Sequence, residues 1–262
     1  MKLNTEELER YQRQIIIKGF GEKNQKRLAG SKVLIVGAGG LGSPAAMYLA
    51  AMGVGTLGLL DSDMVDLSNL NRQIIHDTKD VGRPKVESAR DRIFLLNPRV
   101  KVRTHKERLD KGNVKDILSP YDIVVTAVDN FSTRFLLNDA CYFLKKPLIE
   151  GAAICWEGQA MTIIPGVGPC YRCIFKTPPE PGVIPSAGEQ GVLGVIPGII
   201  GTIQALEVVK LIIGEGKGLM GKLFIFDGLK GYPRVLDIKR DPQCPLCGHN
   251  PTIKGLVECG DE

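Results

Sequence analysis

The 262-residue chain, with 44% hydrophobic residues, can bury a sizeable core, which excludes global disorder and favours one large α/β domain or a domain with an appendage. Its 34 Lys and Arg against 29 acidic residues give a net charge of +5, without the dense basic run expected of a nucleic-acid-binding protein. No apolar run reaches the roughly 18 residues that span a membrane and the polar N-terminus has no signal-peptide core, so we expect a cytoplasmic protein that binds neither membranes nor nucleic acid.

Helices and strands can be predicted along the chain from apolar periodicity and from helix start and stop signals. The predicted helices are residues 5–19, 41–52, 85–96, 131–144 and 199–213. The predicted strands, which are short apolar runs, are residues 33–36, 56–60, 100–104, 123–127, 148–150, 159–164 and 222–226. Residues 176–194 are rich in Pro and Gly and predict a long mobile loop.

A glycine-rich turn follows the first predicted strand. It carries Gly37, Gly39 and Gly40, and the next strand ends at Asp61. Glycines allow the backbone to approach phosphates, and the helix that follows offers unpaired N–H groups to them. Ligands of such sheets lie beyond the carboxyl ends of the strands, so we expect this turn, Asp61 and Asp129 to surround one crevice.

The glycine turn and Asp61 would also suit an NAD-dependent dehydrogenase. Two cations, Arg72 and Lys85, argue for phosphoryl or nucleotidyl transfer instead, because that chemistry builds charge that Arg and Lys neutralise. The alternative interpretation of these cations is that they are ordinary surface charges. The alternative interpretation of Asp129 is that it caps the helix predicted at residues 131–144.

Four of the seven cysteines form two Cys-x-x-Cys pairs. The pairs are Cys170 with Cys173, and Cys244 with Cys247, and each can place two thiolates on one side of a tight turn. One such pair alone is also compatible with redox chemistry or chance. Two pairs together favour a structural, tetrahedral Zn²⁺ site over a disulfide framework.

Several ordered blocks of the sequence resemble one family. The blocks are Arg10-Tyr11-Gln12-Arg13-Gln14, residues 37–42, Asp61-Ser62-Asp63, Ser68-Asn69-Leu70-Asn71-Arg72-Gln73, Gly82-Arg83-Pro84-Lys85 and Asp129-Asn130, with both Cys pairs. The chain is similar over about residues 7–248 to the ThiF/MoeB/HesA adenylyltransferases, which are relatives of ubiquitin-activating enzymes. The resemblance implies ATP-dependent adenylation of the C-terminal Gly carboxylate of a ubiquitin-like sulfur carrier that ends in Gly-Gly.

The resemblance also implies roles for individual residues. Asp129 would bind Mg²⁺, and Arg72 and Lys85 would contact the phosphates of ATP. Asp61 would hold the ribose. The remaining nucleotide-binding residues implied by the family pattern are Gly37, Gly39, Gly40, Asp63, Ser68, Asn69 and Asn130, of which Asn69 is also assigned to catalysis.

Arg13 matches a family arginine that reaches into the active site of a neighbouring subunit. The resemblance therefore implies a homodimer with composite sites. In several relatives the crossover loop carries a cysteine that links covalently to the carrier, but here Ala187 aligns with it. We therefore expect adenylation without an enzyme thioester in that loop, and a separate sulfur donor, because the chain ends soon after Cys247.

The expected fold is α/β and Rossmann-like, with a mixed, mainly parallel sheet, an N-terminal helical segment and a C-terminal part held by Zn²⁺. We expect a single domain over residues 1–262. It would comprise a helical segment at 1–30, a nucleotide-binding core at 31–165, and a part at 166–262 that carries the crossover loop, the carrier-binding surface and the Cys site. A non-catalytic scaffold that binds a ubiquitin-like protein is the remaining alternative function.

Overall fold

A computed structural model of the chain describes residues 3–179 and 187–256, apart from the side chains of residues 187 and 188. Its described strands form one eight-stranded sheet in the order β3-β2-β1-β4-β5-β6-β7-β8. The strands are β1 (Lys32–Val36), β2 (Thr56–Leu60), β3 (Lys101–His105), β4 (Ile123–Thr126), β5 (Leu148–Ile154), β6 (Glu157–Ile163), β7 (Lys222–Asp227) and β8 (Tyr232–Asp237). The pairs among β3, β2, β1, β4 and β5 are parallel and the last three pairs are antiparallel, which confirms the predicted mixed, mainly parallel sheet.

Helices flank this sheet. They are α1 (Thr5–Arg10), α2 (Gln12–Ile15), α3 (Gly21–Gly30), α4 (Gly42–Ala51), α5 (Lys85–Leu96), α6 (Val114–Leu118), α7 (Phe131–Leu144), α8 (Ala187–Gln190) and α9 (Val195–Ile213). The strand β1 is buried on both faces. Val33 and Ile35 join one apolar cluster with residues of α4, α5 and α9, whereas Leu34 and Val36 join a second cluster with residues of α6 and α7.

The parallel register brings the predicted site residues to one edge of the sheet. Val36, the last residue of β1, pairs with Leu60 of β2 and with Thr126 of β4. The glycine turn, Asp61 and Asp129 follow these strand ends directly or within three residues. The sheet therefore delivers all three to the same crevice, as the rule for parallel sheets predicts.

The prediction of one N-terminal helix over residues 5–19 is wrong. The helix breaks at Tyr11, which separates α1 from α2. The Tyr11 side chain is only 5% exposed, and its hydroxyl accepts a hydrogen bond of 2.9 Å from Asn97 Nδ2. This contact joins residues that are 86 positions apart, so local helix propensity cannot anticipate it.

Several further elements differ from the sequence-based expectation. Helices α3 and α6 and strand β8 were not predicted, and β8 is exposed along its whole length and contains Pro233, which weakens its strand pattern. Helix α9 begins at Val195 instead of residue 199, with Pro197 in its first turn. Proline is tolerated there because first-turn N–H groups have no intrahelical partner.

The helix α9 corrects one expectation about membranes. Its 19 residues are long and apolar enough, by length and composition, to cross a bilayer. Half of the 18-residue apolar stretch of this helix is nevertheless buried inside the protein, where α9 packs against α3, α4, β5 and β6. These contacts are those of a core helix.

Candidate functional site

A cavity of about 360 Å³ opens at the carboxyl edge of the parallel strands, within the size range of small-molecule pockets. It is lined by nine of the residues that the sequence assigns to nucleotide binding. These are Gly37, Gly39, Gly40, Asp61, Asp63, Arg72, Lys85, Asp129 and Asn130. The prediction that the glycine turn, Asp61 and Asp129 surround one crevice is therefore confirmed.

Two glycines of the turn permit its close packing. Gly37 has a φ of +100°, and a Cβ added there would lie 2.5 Å from the carbonyl oxygen of Ala127. A Cβ on Gly42 would lie 1.9 Å from the carbonyl oxygen of Gly37. Since neither position has room for a side chain, the turn can fold back sharply from β1 into α4 and leave its backbone open to the cavity.

The carboxylate of Asp61 braces the turn from the neighbouring strand. Its Oδ2 accepts a hydrogen bond of 2.8 Å from the backbone N–H of Ala38, and its Oδ1 accepts one of 2.9 Å from that of Asp63. The pKa of Asp61 is raised, because the effect of burial exceeds the opposing effects of the Lys85 charge and the two backbone N–H groups. In such a setting each hydrogen bond to the carboxylate is stronger than in water, and each oxygen retains a lone pair for a ligand.

A cation lies beside these acids. Lys85 Nζ is 2.8 Å from Asp63 Oδ2, and the Lys85 side chain is 8% exposed whereas that of Asp63 is 65% exposed. Lys85 is the first residue of α5, and its backbone N–H donates to the Asp63 carbonyl. Both ends of Lys85 are thus held by the strand-end loop, which points a nearly buried ammonium group at the cavity.

The short 3₁₀ turn Leu67–Asn69 precedes Arg72 and orients it. The Arg72 guanidinium donates to the carbonyl of Ser68 and to the side-chain oxygen of Asn71, both at 3.0 Å. Asn69 Oδ1 accepts from the backbone N–H of Asp66 at 3.2 Å. Ser68 and Asn69 are not among the described residues that line the cavity, but their carbonyl groups accept hydrogen bonds from Arg72, which does line it.

Asp129 lines the cavity, and its neighbour Asn130 caps α7. Asn130 is the N-cap of α7, since its Oδ1 accepts from the backbone N–H of Thr133 at 2.9 Å. The alternative that Asp129 caps this helix is therefore wrong. Asp129 is exposed and lines the cavity, so its carboxylate is available to a ligand.

Arg13 lies away from the residues that line the cavity. It is an exposed residue of α2 and is not among the described residues that line the cavity of its own chain. Within one chain, the structure therefore does not bring Arg13 to the other predicted site residues.

Other residues of the cavity were not assigned from the sequence. Gln73 is 4% exposed, lines the cavity beside Gly39, and has an Oε1 atom with no hydrogen-bond partner in the described part of the chain. Glu107 and Arg108 line it from the loop after β3. Gln73 ends the sequence block that contains Asn69 and Arg72. No local signal marks the loop after β3, which reaches the site because β3 pairs with β2.

The two Cys pairs meet, as predicted. One sulfur atom from each of Cys170, Cys173, Cys244 and Cys247 lies within 4.8 Å of the others, and this group could hold a metal ion. The Sγ atoms of Cys170 and Cys244 are 3.6 Å apart, and those of Cys173 and Cys247 are 3.4 Å apart. A tetrahedral site with Zn–S bonds of about 2.3 Å needs sulfur separations of about 3.8 Å, so the geometry fits Zn²⁺.

The surroundings of the four thiols also suit a thiolate site. The backbone N–H of Asp241 points at Cys173 Sγ at 3.4 Å, and that of Cys247 points at Cys244 Sγ at 3.5 Å. Hydrogen bonding with Cys173 raises the pKa of Cys170, and hydrogen bonding with Cys170 lowers the pKa of Cys173. Donors aimed at sulfur stabilise the charge of a coordinating thiolate.

Part of the predicted crossover loop is helical. Residues 180–186 lie outside the described part, but Ala187 begins the short helix α8. After α8, the backbone N–H of Cys155 donates to the Gly191 carbonyl and that of Leu193 donates to the Cys155 carbonyl, each at 2.9 Å. Cys155, from the turn between β5 and β6, therefore lies against the segment between α8 and α9.

Comparisons with known proteins find a matching family model and similar adenylyltransferases. The model of the ThiF family matches residues 11–246. The sulfur carrier protein adenylyltransferase of Thermus thermophilus is 46% identical over 263 residues, which cover 98% of this chain and 97% of that protein. The adenylyltransferase and sulfurtransferase MOCS3 of Culex quinquefasciatus is 47% identical over 258 residues, but this chain spans only 59% of its length.

A solved structure shares the fold. The crystal structure of Escherichia coli MccB with AMPCPP and MccA has a TM-score of 0.81 and 22% identity, covering 95% of this chain and 75% of that chain. At this identity the likeness concerns the fold alone.

Proposed function

Because this chain belongs to the ThiF family, we propose that it adenylates the C-terminal Gly carboxylate of a ubiquitin-like sulfur carrier protein, using ATP. The observation that carries the proposal is the single cavity that gathers the glycine turn, Asp61, Arg72, Lys85 and Asp129. A dehydrogenase would use the turn and Asp61 but would leave the two cations and Asp129 without a task.

In the proposed reaction, a carboxylate oxygen of the carrier attacks the α-phosphorus of ATP. A bond forms between these two atoms, and the bond from the α-phosphorus to the oxygen that bridges to the β-phosphorus breaks. Pyrophosphate leaves with that electron pair, and the carrier is left as an acyl-adenylate. The step needs no nucleophile from the enzyme, which has to align the reactants and stabilise charge on the transferring phosphate.

We assign the phosphates to Arg72 and Lys85. Lys85 already faces the cavity with its ammonium paired to Asp63, so phosphate oxygens can share its three N–H donors. Arg72 offers a planar fork of donors that suits phosphate. We assign the ribose to Asp61, whose oxygens keep lone pairs after accepting from Ala38 and Asp63.

We propose that Asp129 binds Mg²⁺ together with the phosphates. Of the acids that line the cavity, Asp61 accepts two backbone hydrogen bonds and Asp63 pairs with Lys85. Glu107 accepts a hydrogen bond of 3.1 Å from Asn113 Nδ2, whereas Asp129 is exposed at the cavity. Oxygen ligands of this kind suit Mg²⁺, which is held by one or two carboxylates and substrate phosphates. When bound, the ion would act as a Lewis acid that polarises the phosphate.

We further propose that the metal of the four-cysteine cluster is Zn²⁺, that the protein is cytoplasmic, and that sulfur comes from a separate donor. The sequence contains no cysteine between Cys173 and Cys244, so the crossover segment offers no thiol. Intact mass spectrometry after reaction, without reductant, tests whether the carrier becomes covalently linked to the enzyme. We expect no carrier adduct on the enzyme, and an adduct that disappears in Cys155→Ser would contradict the expectation.

We propose that the protein acts as a homodimer in which Arg13 completes the site of the partner. The exposed position of Arg13 outside the cavity of its own chain supports this arrangement. Arg13→Ala and Asp129→Ala should each be inactive, but an equal mixture under conditions of subunit exchange should recover about a quarter of the wild-type activity, because half of the dimers are hybrids with one intact site. No recovery would show that each site is built within one chain.

Carrier-dependent ATP–pyrophosphate exchange tests the proposed function directly. We expect exchange with a small carrier that ends in Gly-Gly and none with the same carrier lacking its last Gly. The absence of exchange with every Gly-Gly carrier, from a folded protein that binds a carrier, would instead support the scaffold alternative. Binding of NAD without binding of ATP would support the dehydrogenase alternative.

A further inference from the structure

A hydrogen-bonded row of buried polar side chains lies next to the glycine turn. His76 is 6% exposed, and its Nε2 lies 3.0 Å from the carbonyl oxygen of Ala38. Its Nδ1 lies 2.8 Å from Ser88 Oγ, which is also 2.8 Å from Asp80 Oδ2. None of these three side chains is among the described residues that line the cavity.

The partners of His76 determine which nitrogen carries the proton. The Ala38 carbonyl can only accept, so the Nε2 atom of His76 must donate. If the ring is neutral, Nδ1 accepts the single hydroxyl proton of Ser88, which then has none to donate to Asp80; if the ring is charged, Nδ1 donates to Ser88, and Ser88 donates its own proton to Asp80. Burial lowers the pKa of His76, whereas the hydrogen bond from Ser88 to Asp80 is compatible with the charged ring. In either state the Nε2–H to Ala38 contact is kept.

The Ala38 backbone is therefore held from two sides. Its N–H donates to Asp61 Oδ2 and its carbonyl accepts from His76 Nε2. Ala38 lies between Gly37 and Gly39, which have no side chains to fix the turn by packing. Side-chain hydrogen bonds to the Ala38 backbone thus restrain a turn that glycine leaves conformationally free.

The same hydrogen-bonded row reaches α5, the helix that carries Lys85. Ser88 lies three residues after Lys85, within the first turns of α5. Asp80, which contacts Ser88, also forms an ion pair of 2.5 Å with Arg83, and Arg83 pairs with Asp91 of α5 at 2.6 Å. His76 therefore connects the glycine turn to the helix that carries Lys85.

We propose that His76 is a positioning residue for nucleotide binding: its Nε2–H fixes the Ala38 carbonyl, and through Ser88 it sets the glycine turn in register with Lys85. The inference rests on the proposed function in that ATP is the ligand of the cavity. His76 touches neither the ligand nor the reacting atoms.

Two variants of opposite design test this role. His76→Gln keeps an N–H donor near the position of Nε2, whereas His76→Leu has a similar size and no donor. Binding of a non-hydrolysable ATP analogue to the full-length protein, measured by calorimetry without a carrier, should weaken about tenfold in His76→Leu, as expected when a buried acceptor loses its donor. His76→Gln should stay within about threefold of the wild type.

Steady-state exchange adds a readout that a general loss of structure would not give. In His76→Leu we expect a higher KM for ATP and an unchanged KM for the carrier. Wild-type affinity in His76→Leu, or an equal loss in His76→Gln and His76→Leu, would overturn the proposal. A wild-type protein that binds the analogue but performs no exchange would defeat the proposed function and leave this comparison valid.

A measurement on the wild type covers the case in which His76→Leu does not fold. The chain has three histidines, so ¹⁵N spectra of the imidazole nitrogens can be assigned with single-histidine variants. We expect a protonated Nε2 on His76 across the pH range in which the protein is folded. A His76 ring protonated on Nδ1 alone would overturn the proposal.

Discussion

Asp129→Ala is expected to reduce carrier-dependent ATP–pyrophosphate exchange by about 100- to 1,000-fold, which is the range for the loss of one electrostatic group that acts on the transition state. The reason is that the exposed Asp129 carboxylate would hold Mg²⁺ against the phosphates. Because the side chain is exposed and does not cap α7, the unfolding midpoint should change little. Exchange kinetics and a thermal melt of the same preparation check both statements.

Matched variants separate the charge of Asp129 from its surroundings. Asp129→Asn keeps the size and removes the charge, so it should lose nearly as much activity as Asp129→Ala. Asp116→Ala removes an exposed acid of α6 that is not among the described residues lining the cavity, and it should leave exchange unchanged. Near-normal turnover in Asp129→Ala at saturating Mg²⁺ would remove the assigned role.

The parallel part of the fold could be predicted from the sequence because its signals are local. Apolar runs mark β1, β2 and β4, and the glycine turn lies between β1 and a helix of small residues. Once those strands are parallel, their carboxyl ends must share an edge, and so must the residues that follow them. The crevice that contains Asp61 and Asp129 follows from this rule.

The parts that could not be predicted depend on contacts between distant residues. Tyr11 lies at the end of α1 and its hydroxyl accepts a hydrogen bond from Asn97, and no nearby residue signals that partner. His76 has the same character: in the sequence it is a lone histidine, and its task becomes visible only when Ala38 and Ser88 are seen on either side of the ring.

Removal of the proposed metal from the four-cysteine cluster is expected to have the largest effect on stability. The cluster joins the turn after β6, through Cys170 and Cys173, to the segment after β8, through Cys244 and Cys247. Three of these thiols are buried, and the cluster is continuous with the apolar core that contains Phe135, Tyr171 and Leu246. Without the cation, the metal–thiolate bonds that would join these two segments are lost, together with the binding free energy that is coupled to folding.

Elemental analysis should find about one Zn²⁺ per chain. Chelation, or Cys244→Ser, should lower the stability by on the order of 5 kcal/mol or more, which for a domain of this size corresponds to a fall of about 10 to 20 °C in Tm. Cys155→Ser is the matched control, since Cys155 is half-buried and lies outside the cluster, and its Tm should stay close to that of the wild type. A protein that is free of metal and as stable as the untreated one would exclude a structural metal site, and the four sulfur atoms would then be held together by the packing around Tyr171 and Leu246 alone.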